Sequence, residues 1–449
     1  MLKKKKLNPA LQIVLGFLTV ILIGAFLLSL PISNINGDWF NFVDSFFTST
    51  SAVCVTGLTV VDIMMQFTLF GQIVLLVLIQ IGGLGFITLT TLLFLIIGKK
   101  ITLKDRLAIK ESLNQDDTAG VVKLVKKIVI FVFITEFIGA LCLLPSFVNV
   151  YGWGQGIFKS IFVAISAFCN AGFDNLGTGG TSFASLGAFA NDVFVLLPIM
   201  LLIIIGGLGF FVLFDLPNIF KKKKLAFHTK VVLIATSILI FGGAILFAIF
   251  EWNNPSTLGN LPFGQKIIHC LFYSITPRTA GFSIGNLADL SSSSLILTNI
   301  LMFIGGSPAS TAGGIKTTTF FVLLLLLFKK QNNNGSIVIK NKTISQKLIN
   351  KAFKIFGLAL AIIITSTMVI CAIENLAFDV VLFEVISAIS TVGLSINLTP
   401  LLCAVSKIII AILMFAGRVG ALTLTIAISG NSSTSTQEIE YPDSKLVIG

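Results

Sequence analysis

The chain has 449 residues, of which 55% are hydrophobic and only 11% charged, with a mean hydropathy of +1.00 and a formal net charge of +12. This composition excludes an ordinary soluble domain and places the chain in a bilayer. It does not point to nucleic acid either: the lysines gather in residues 3–6, 99–127, 221–230 and 329–354, between long apolar runs, where the positive-inside rule accounts for them.

In chain order, the lysines of residues 3–6 precede an apolar run over 11–30 that is longer than the core of a secretory leader. Pro31 follows with no small-residue cleavage site, so the run reads as a retained first span. Stretches able to cross about 30 Å of hydrocarbon start near Leu11, Phe70, Ile128, Phe194, Val231, Leu295, Phe353 and Ile408. They predict eight transmembrane helices. Four shorter apolar stretches, 40–53, 157–169, 266–275 and 380–390, alternate with them and read as re-entrant pore helices.

Each short stretch ends in a related motif: SAVCVTGL, SAFCNAGF, ITPRTAGF and SAISTVGL, with glycines at Gly57, Gly172, Gly281 and Gly393. The spacing of roughly 110 residues means one membrane unit used four times. The predicted fold is an all-α membrane protein of four membrane-pore-membrane repeats around one central pore, residues 1–113, 114–224, 225–341 and 342–449. The third repeat carries an intramembrane gate loop and the fourth a cytoplasmic tail. Glycine after one apolar run is common and says little; four in register say more. Non-helical backbone at membrane depth is tolerated only where it is buried in protein or lines a watery cavity, so the four loops should converge. Half-helices aiming their C-terminal partial negative charge at that point favour a cation, and carbonyls turned inward by glycine torsions can coordinate one.

The second span of each unit repeats a further pattern: IGGLGF at 81–86 and 205–210, IGGSPA at 304–309 and AGRVGA at 416–421. In the first two units close helix packing through small residues explains it. In the third, Gly305, Gly306, Ser307, Pro308, Ala309, Ser310, Thr311, Ala312, Gly313, Gly314 and Lys316 interrupt the span. Pro308 removes a backbone donor and the glycines weaken the helix, so this segment is a candidate gate below the glycine loops, with a passive kink as the alternative. The fourth unit places Arg418 in the span, aligned with Leu84, Leu208 and Ser307. A buried cation is costly there and marks a functional position unless packing and carbonyls satisfy it.

The six cysteines, Cys54, Cys142, Cys169, Cys270, Cys371 and Cys403, have no metal-ligand spacing, and His228 and His269 lie apart. Asp44, Asp62, Asp174, Asp192, Glu251, Asp289, Glu374 and Glu384 fall on the predicted outer side, where they attract cations or are plain solvated charges. Glu136 lies inside the third span with no partner assignable from sequence.

At these residues the chain resembles the Trk/Ktr/HKT superfamily of potassium transporters, and within it the bacterial Ktr-type membrane subunit, over residues 11–429. The resemblance implies potassium coordination by Val55, Thr56 and Gly57; by Asn170, Ala171 and Gly172; by Thr279, Ala280 and Gly281; and by Thr391, Val392 and Gly393. It implies potassium uptake across the bacterial plasma membrane, both termini cytoplasmic, by a homodimer with one pore per subunit, seated among lipid on a cytosolic ring of nucleotide-binding RCK subunits. No cofactor belongs to the chain itself; potassium is the cargo, sodium is a candidate activator, and nucleotide enters only through the partner. Two residues depart from the pattern: Pro308, where a small residue is expected, and Arg278, three before its glycine, where the other units have Cys54, Cys169 and Ser390. The competing readings are a symporter coupling potassium to sodium or protons, for which Glu136 and Arg418 are the evident charged candidates, and an intramembrane enzyme, for which no nucleophile, acid–base pair or metal cluster is in evidence.

Overall fold

The structure, a computed structural model, describes residues 9–85, 120–177, 183, 185–220, 224–329, 335–339 and 342–420. The predicted tail from Asn431, much of the loop over 99–127 and the lysines of residues 3–6 lie outside the described residues.

The first unit opens with α1 (Pro9–Ser29), whose Ile21, Ala25 and Leu28 are buried while Leu22, Ile23 and Phe26 face outward. The next helix, α2 (Phe42–Cys54), is short and almost wholly buried from Ser45 onward. A helix so rich in hydroxyls tolerates burial because many of them bond to backbone: Thr48 to the Asp44 carbonyl, Thr50 to that of Phe46 and Ser49 to that of Ile21 in α1. Asn41 caps its first turn by accepting the Val43 N–H. The unit closes with α3 (Leu69–Leu84), capped by Thr68.

In the second unit the segments expected as span and pore helix run together as α4 (Val121–Cys169), broken at Gly152, where φ 75° and ψ 171° leave the helical region. Then come α5 (Val193–Leu208) and α6 (Phe210–Asp215), which turn through 95° at Gly209. The third unit holds α7 (Phe227–Glu251), α8 (Phe263–Ile275), α9 (Ser292–Phe303) and α10 (Thr317–Phe328). The fourth holds α11 (Gln346–Glu374), α12 (Phe378–Ser390) and α13 (Ala404–Val419).

Two features add to the expected picture. Among the described residues four helices are long and apolar enough to cross a membrane, or five if the bent α5–α6 pair is one span. The second helix of each unit is short or broken because a glycine with positive φ ends it at Gly85, Gly209 and Gly420, and the loop over 305–316 divides α9 from α10. Nor is the chain purely helical: Ile337–Ile339 and Lys342–Ile344 form an antiparallel hairpin, β1 and β2, where a run of β-branched residues favours strand. Ile337, Ile344 and Ile349 pack beneath it with Val322 and Leu325 of α10.

The units meet in chain order and close on themselves. α3 packs on α4, α5 on α8, α9 on α12, and α13 returns to α2. An ion pair of 2.7 Å between Lys407 of α13 and Asp44 of α2 fastens the closure, and it is the one salt bridge among the described residues.

Candidate functional site

The four motif glycines form a ring. A methyl group added at Gly57 would strike the backbone of Ala171 and Gly172; at Gly172, that of Ala280 and Gly281; at Gly281, that of Val392 and Gly393; at Gly393, that of Thr56 and Gly57. Each glycine therefore presses its neighbour's backbone in the order of the units, at a closeness no side chain permits. All four have positive φ, from 69° at Gly172 to 96° at Gly57. The residue two before each is also left-handed: Val55 (56°), Asn170 (58°), Thr279 (71°) and Thr391 (52°). The residue between is not. In an extended chain successive carbonyls point to opposite sides; alternating the sign of φ turns them toward one side.

The helix ends hold these torsions. The Thr56 N–H donates to the Ser51 carbonyl at 2.8 Å and the Gly57 N–H to the Ser51 hydroxyl at 3.1 Å. The fourth unit repeats this with Val392 and Gly393 on Ser387. In the third, α8 stops at Ile275 and Thr276 takes over: its carbonyl accepts from Ala280 and Gly281, and its hydroxyl donates to the Phe282 carbonyl at 2.5 Å. Beside them the Asn170 carboxamide and Thr279 hydroxyl lie 3.2 Å apart.

On one side of the ring a cavity of about 710 Å³ is lined by all four glycines together with Asp62, Asp174, Asn286, Ser395 and Asn397. Burial pushes the Asp174 carboxyl up to about 6; Asp62 adds to the rise, while hydrogen bonds from Leu176 and Ser185 and the Lys159 ammonium oppose it. Of the other acids expected on the outer side, most are structural. Asp44 pairs with Lys407, Asp192 caps α5, Glu374 accepts the Cys403 N–H, and Glu251 gathers Asn254, Thr257 and Ser291. Glu384 accepts from Thr399.

On the other side of the ring the segment over 305–316 crosses as a loop fixed by hydrogen bonds. Ser307 and Thr311 donate N–H groups to the carbonyls of Gly207 and Gly206, Phe210 donates to that of Ala309, and the Thr311 hydroxyl reaches the Phe168 carbonyl at 3.1 Å. Lys316 Nζ donates to the Ala312 carbonyl at 2.6 Å. Gly313 packs against the side chain of Thr391 and Gly314 against the Ser390 carbonyl, so the loop touches the glycine-ring segment itself. The Arg418 guanidinium donates to the carbonyls of Thr311, Gly82 and Gly83, bridging this loop to the end of α3.

The packing also corrects the register assigned to Arg418. Gly82, Gly206 and Gly417 each press on the carbonyl of the residue four before a ring glycine: Val53, Phe168 and Ile389. Arg418, one residue beyond Gly417, thus corresponds to Gly83 and Gly207, not to Leu84 and Leu208. Single glycines versus a pair made the sequence alignment slip by one.

Glu136 finds its partners here. Gln80 Nε2 donates to it at 3.2 Å, and the Cys169 thiol lies 3.8 Å from both the Glu136 carboxyl Oε1 and the Gln80 amide Oε1. Arg278 is buried, its Nε has no partner among the described residues, and it does not line the cavity. Sequence reasoning missed Lys159. It is buried in the part of α4 after the Gly152 break, stands 4.4 Å over the Tyr151 ring and donates to the Asn175 carbonyl, while Tyr151 donates to the Leu176 carbonyl at 2.8 Å. A lone lysine in an apolar stretch was its only signal.

Three comparisons bear on this geometry. The sequence profile of a family described as TrkH, cation transport protein, matches residues 6–436. The chain is 39% identical to the potassium/sodium uptake protein NtpJ of Enterococcus hirae, over 99% of this chain and 98% of that one. It is 40% identical to Ktr system potassium uptake protein B of Bacillus subtilis, over 100% and 98% of the two chains. The fold is similar to the potassium transporter TrkH of Vibrio parahaemolyticus, with a TM-score of 0.73 at 18% identity over 95% of this chain and 85% of that one.

Proposed function

The chain belongs to the TrkH family of cation transport proteins, and from that premise we propose that it takes up potassium through a selectivity filter formed by the ring of Gly57, Gly172, Gly281 and Gly393. As a member of this family it is a membrane transporter of cations and not an enzyme. The observation that carries the finer reading is the ring, with its four matching left-handed torsions and four helix C-termini directed at it. Carbonyls of the residues Val55 to Gly57 and their three counterparts replace the hydration shell of the ion, and the negative helix ends favour a cation over an anion. The cavity with Asp62 and Asp174 is the outer mouth, and the loop from Gly305 to Lys316 with Arg418 is the gate beneath. On this reading the four repeats supply eight spans and four pore helices, the bent α5–α6 pair and the loop-divided α9–α10 pair each serving as one crossing.

Channel-like conduction down the electrochemical gradient suits this arrangement better than symport. A coupling carboxylate should stand free to exchange its ion, whereas Glu136 is enclosed by Gln80 and Cys169. The names of the relatives, uptake of potassium and sodium by one and membership of a Ktr system by another, support a multi-subunit system that handles both cations; the homodimer, the cytosolic RCK ring and sodium as an activator extend this from the family resemblance. The test is competition between rubidium and sodium uptake for the four single variants Gly57→Ser, Gly172→Ser, Gly281→Ser and Gly393→Ser. Each adds a side chain where the next backbone stands, so discrimination should fall by roughly tenfold or more, as one to three kcal/mol of strain implies. Unchanged discrimination in all four would remove the filter assignment.

A further inference from the structure

We infer that the start of α11 carries a binding surface for anionic phospholipid headgroups of the inner leaflet, formed by Lys347, Lys351 and Lys354. The inference rests on the membrane orientation proposed above. Helix α11 is 29 residues long, which at 1.5 Å per residue makes about 43 Å, well beyond the roughly 30 Å of hydrocarbon. Its stretch over 355–373 is free of charge and covers the hydrocarbon. The preceding residues, 346–354, must project into the headgroup layer.

There the three lysines, at spacings of four and three, share one stripe of the helix, and all are exposed. None has a carboxylate partner among the described residues, where the one salt bridge is elsewhere. The sequence offers none nearby: between Asp289 and Glu374 there is no aspartate or glutamate at all. Lys342 of β2 adds a further exposed cation, and the hairpin is held on this end of the helix by Ile337, Ile344 and Ile349. The three ammonium groups repel one another, and Lys347, in the first turn, also meets the positive end of the helix dipole, so the surface calls for counter-charge from outside. Leu348 and Phe353, 57% and 53% exposed, flank the stripe with apolar surface. A cationic stripe edged by apolar side chains at headgroup depth matches a phosphate above an acyl chain, whereas an acidic protein face would leave Leu348 and Phe353 uncovered.

The experiment reads lipid directly, so it does not depend on transport. The purified full chain is placed in nanodiscs of equal phosphatidylcholine and phosphatidylglycerol, and the lipids retained after transfer to detergent are counted by native mass spectrometry. Wild type should keep phosphatidylglycerol in preference, and the triple variant K347Q/K351Q/K354Q should lose that preference by roughly a hundredfold, each lysine at an anionic surface contributing about a fivefold factor. The triple arginine variant should retain it, which separates lost charge from lost folding. Equal retention of the two lipids by wild type would overturn the inference and favour a protein partner on this surface. Displacement of phosphatidylglycerol by inorganic phosphate alone would also overturn it, since the site would then bind a free anion. If lipid preference holds while potassium flux fails, the transport reading falls and the surface stands.

Discussion

A left-handed torsion is costly for a β-branched residue, yet Val55, Thr279 and Thr391 adopt one, each at a cost of about 1–3 kcal/mol that the helix-end hydrogen bonds must offset. The glycines of the ring were legible in the sequence because few other residues serve there; the residues two before them were named through the family resemblance, but their left-handed torsion was not legible, since Val, Asn and Thr share no cue for it. The same holds for Arg418. Its costliness in a span was plain, but its three carbonyl partners come from two other units and no spacing encodes them. Asp174 gives a prediction at this scale. Its carboxyl is raised to about 6 mainly by burial, so as external pH falls through that value the mouth loses a negative charge. The apparent affinity for rubidium should weaken severalfold below that pH in wild type, and Asp174→Asn should be weak and flat across it. For stability the sign follows from the raised value: the proton-bound form is favoured in the fold, so this group's contribution is present in acid and is lost as pH rises through about 6. Thermal unfolding of wild type against Asp174→Asn over that interval checks it; identical profiles would mean that the aspartate titrates normally.

Among the elements, the short helices before the ring, α2, the second half of α4, α8 and α12, were legible to within a few residues, because each is a short apolar run ending in a glycine motif. The broken second span of the third unit was legible too, through Pro308 and its glycines. What could not be read was how close that loop lies to the ring: Gly313 and Gly314 pack on Thr391 and Ser390, a contact between residues far apart in the chain. This changes what its removal should do. Deleting Gly306 through Gly313 should raise potassium flux in liposomes without any cytosolic partner, and should also loosen the discrimination between rubidium and sodium, since Thr391 loses its support. Arg418→Gln should raise flux by removing an electrostatic barrier while leaving discrimination intact, because the guanidinium touches Thr311, Gly82 and Gly83 and not the ring. A monodisperse deletion variant with unchanged flux would make the loop a passive kink.

For the whole molecule, the repeat of roughly 110 residues announced a closed arrangement before any contact was known, and α13 returning to α2 with the Lys407 to Asp44 pair completes it. The hairpin over 337–344 and the 95° bend at Gly209 were invisible, the first because two three-residue strands leave almost no periodicity, the second because the glycine that permits a bend does not fix its angle. The orientation has its own check. In a variant without native cysteines, a cysteine replacing Asn218 should be protected from impermeant reagent in intact cells and one replacing Thr257 should react; reversal would invert the topology. The central claim, potassium-selective conduction through the ring, is tested most directly by flux from the purified chain in liposomes with potassium and sodium gradients varied separately. Uptake of rubidium should follow the potassium gradient and be suppressed by external potassium far more than by sodium. Uptake that proceeds only with a sodium gradient, in fixed proportion to sodium entry, would contradict a selective conduction pathway and establish symport.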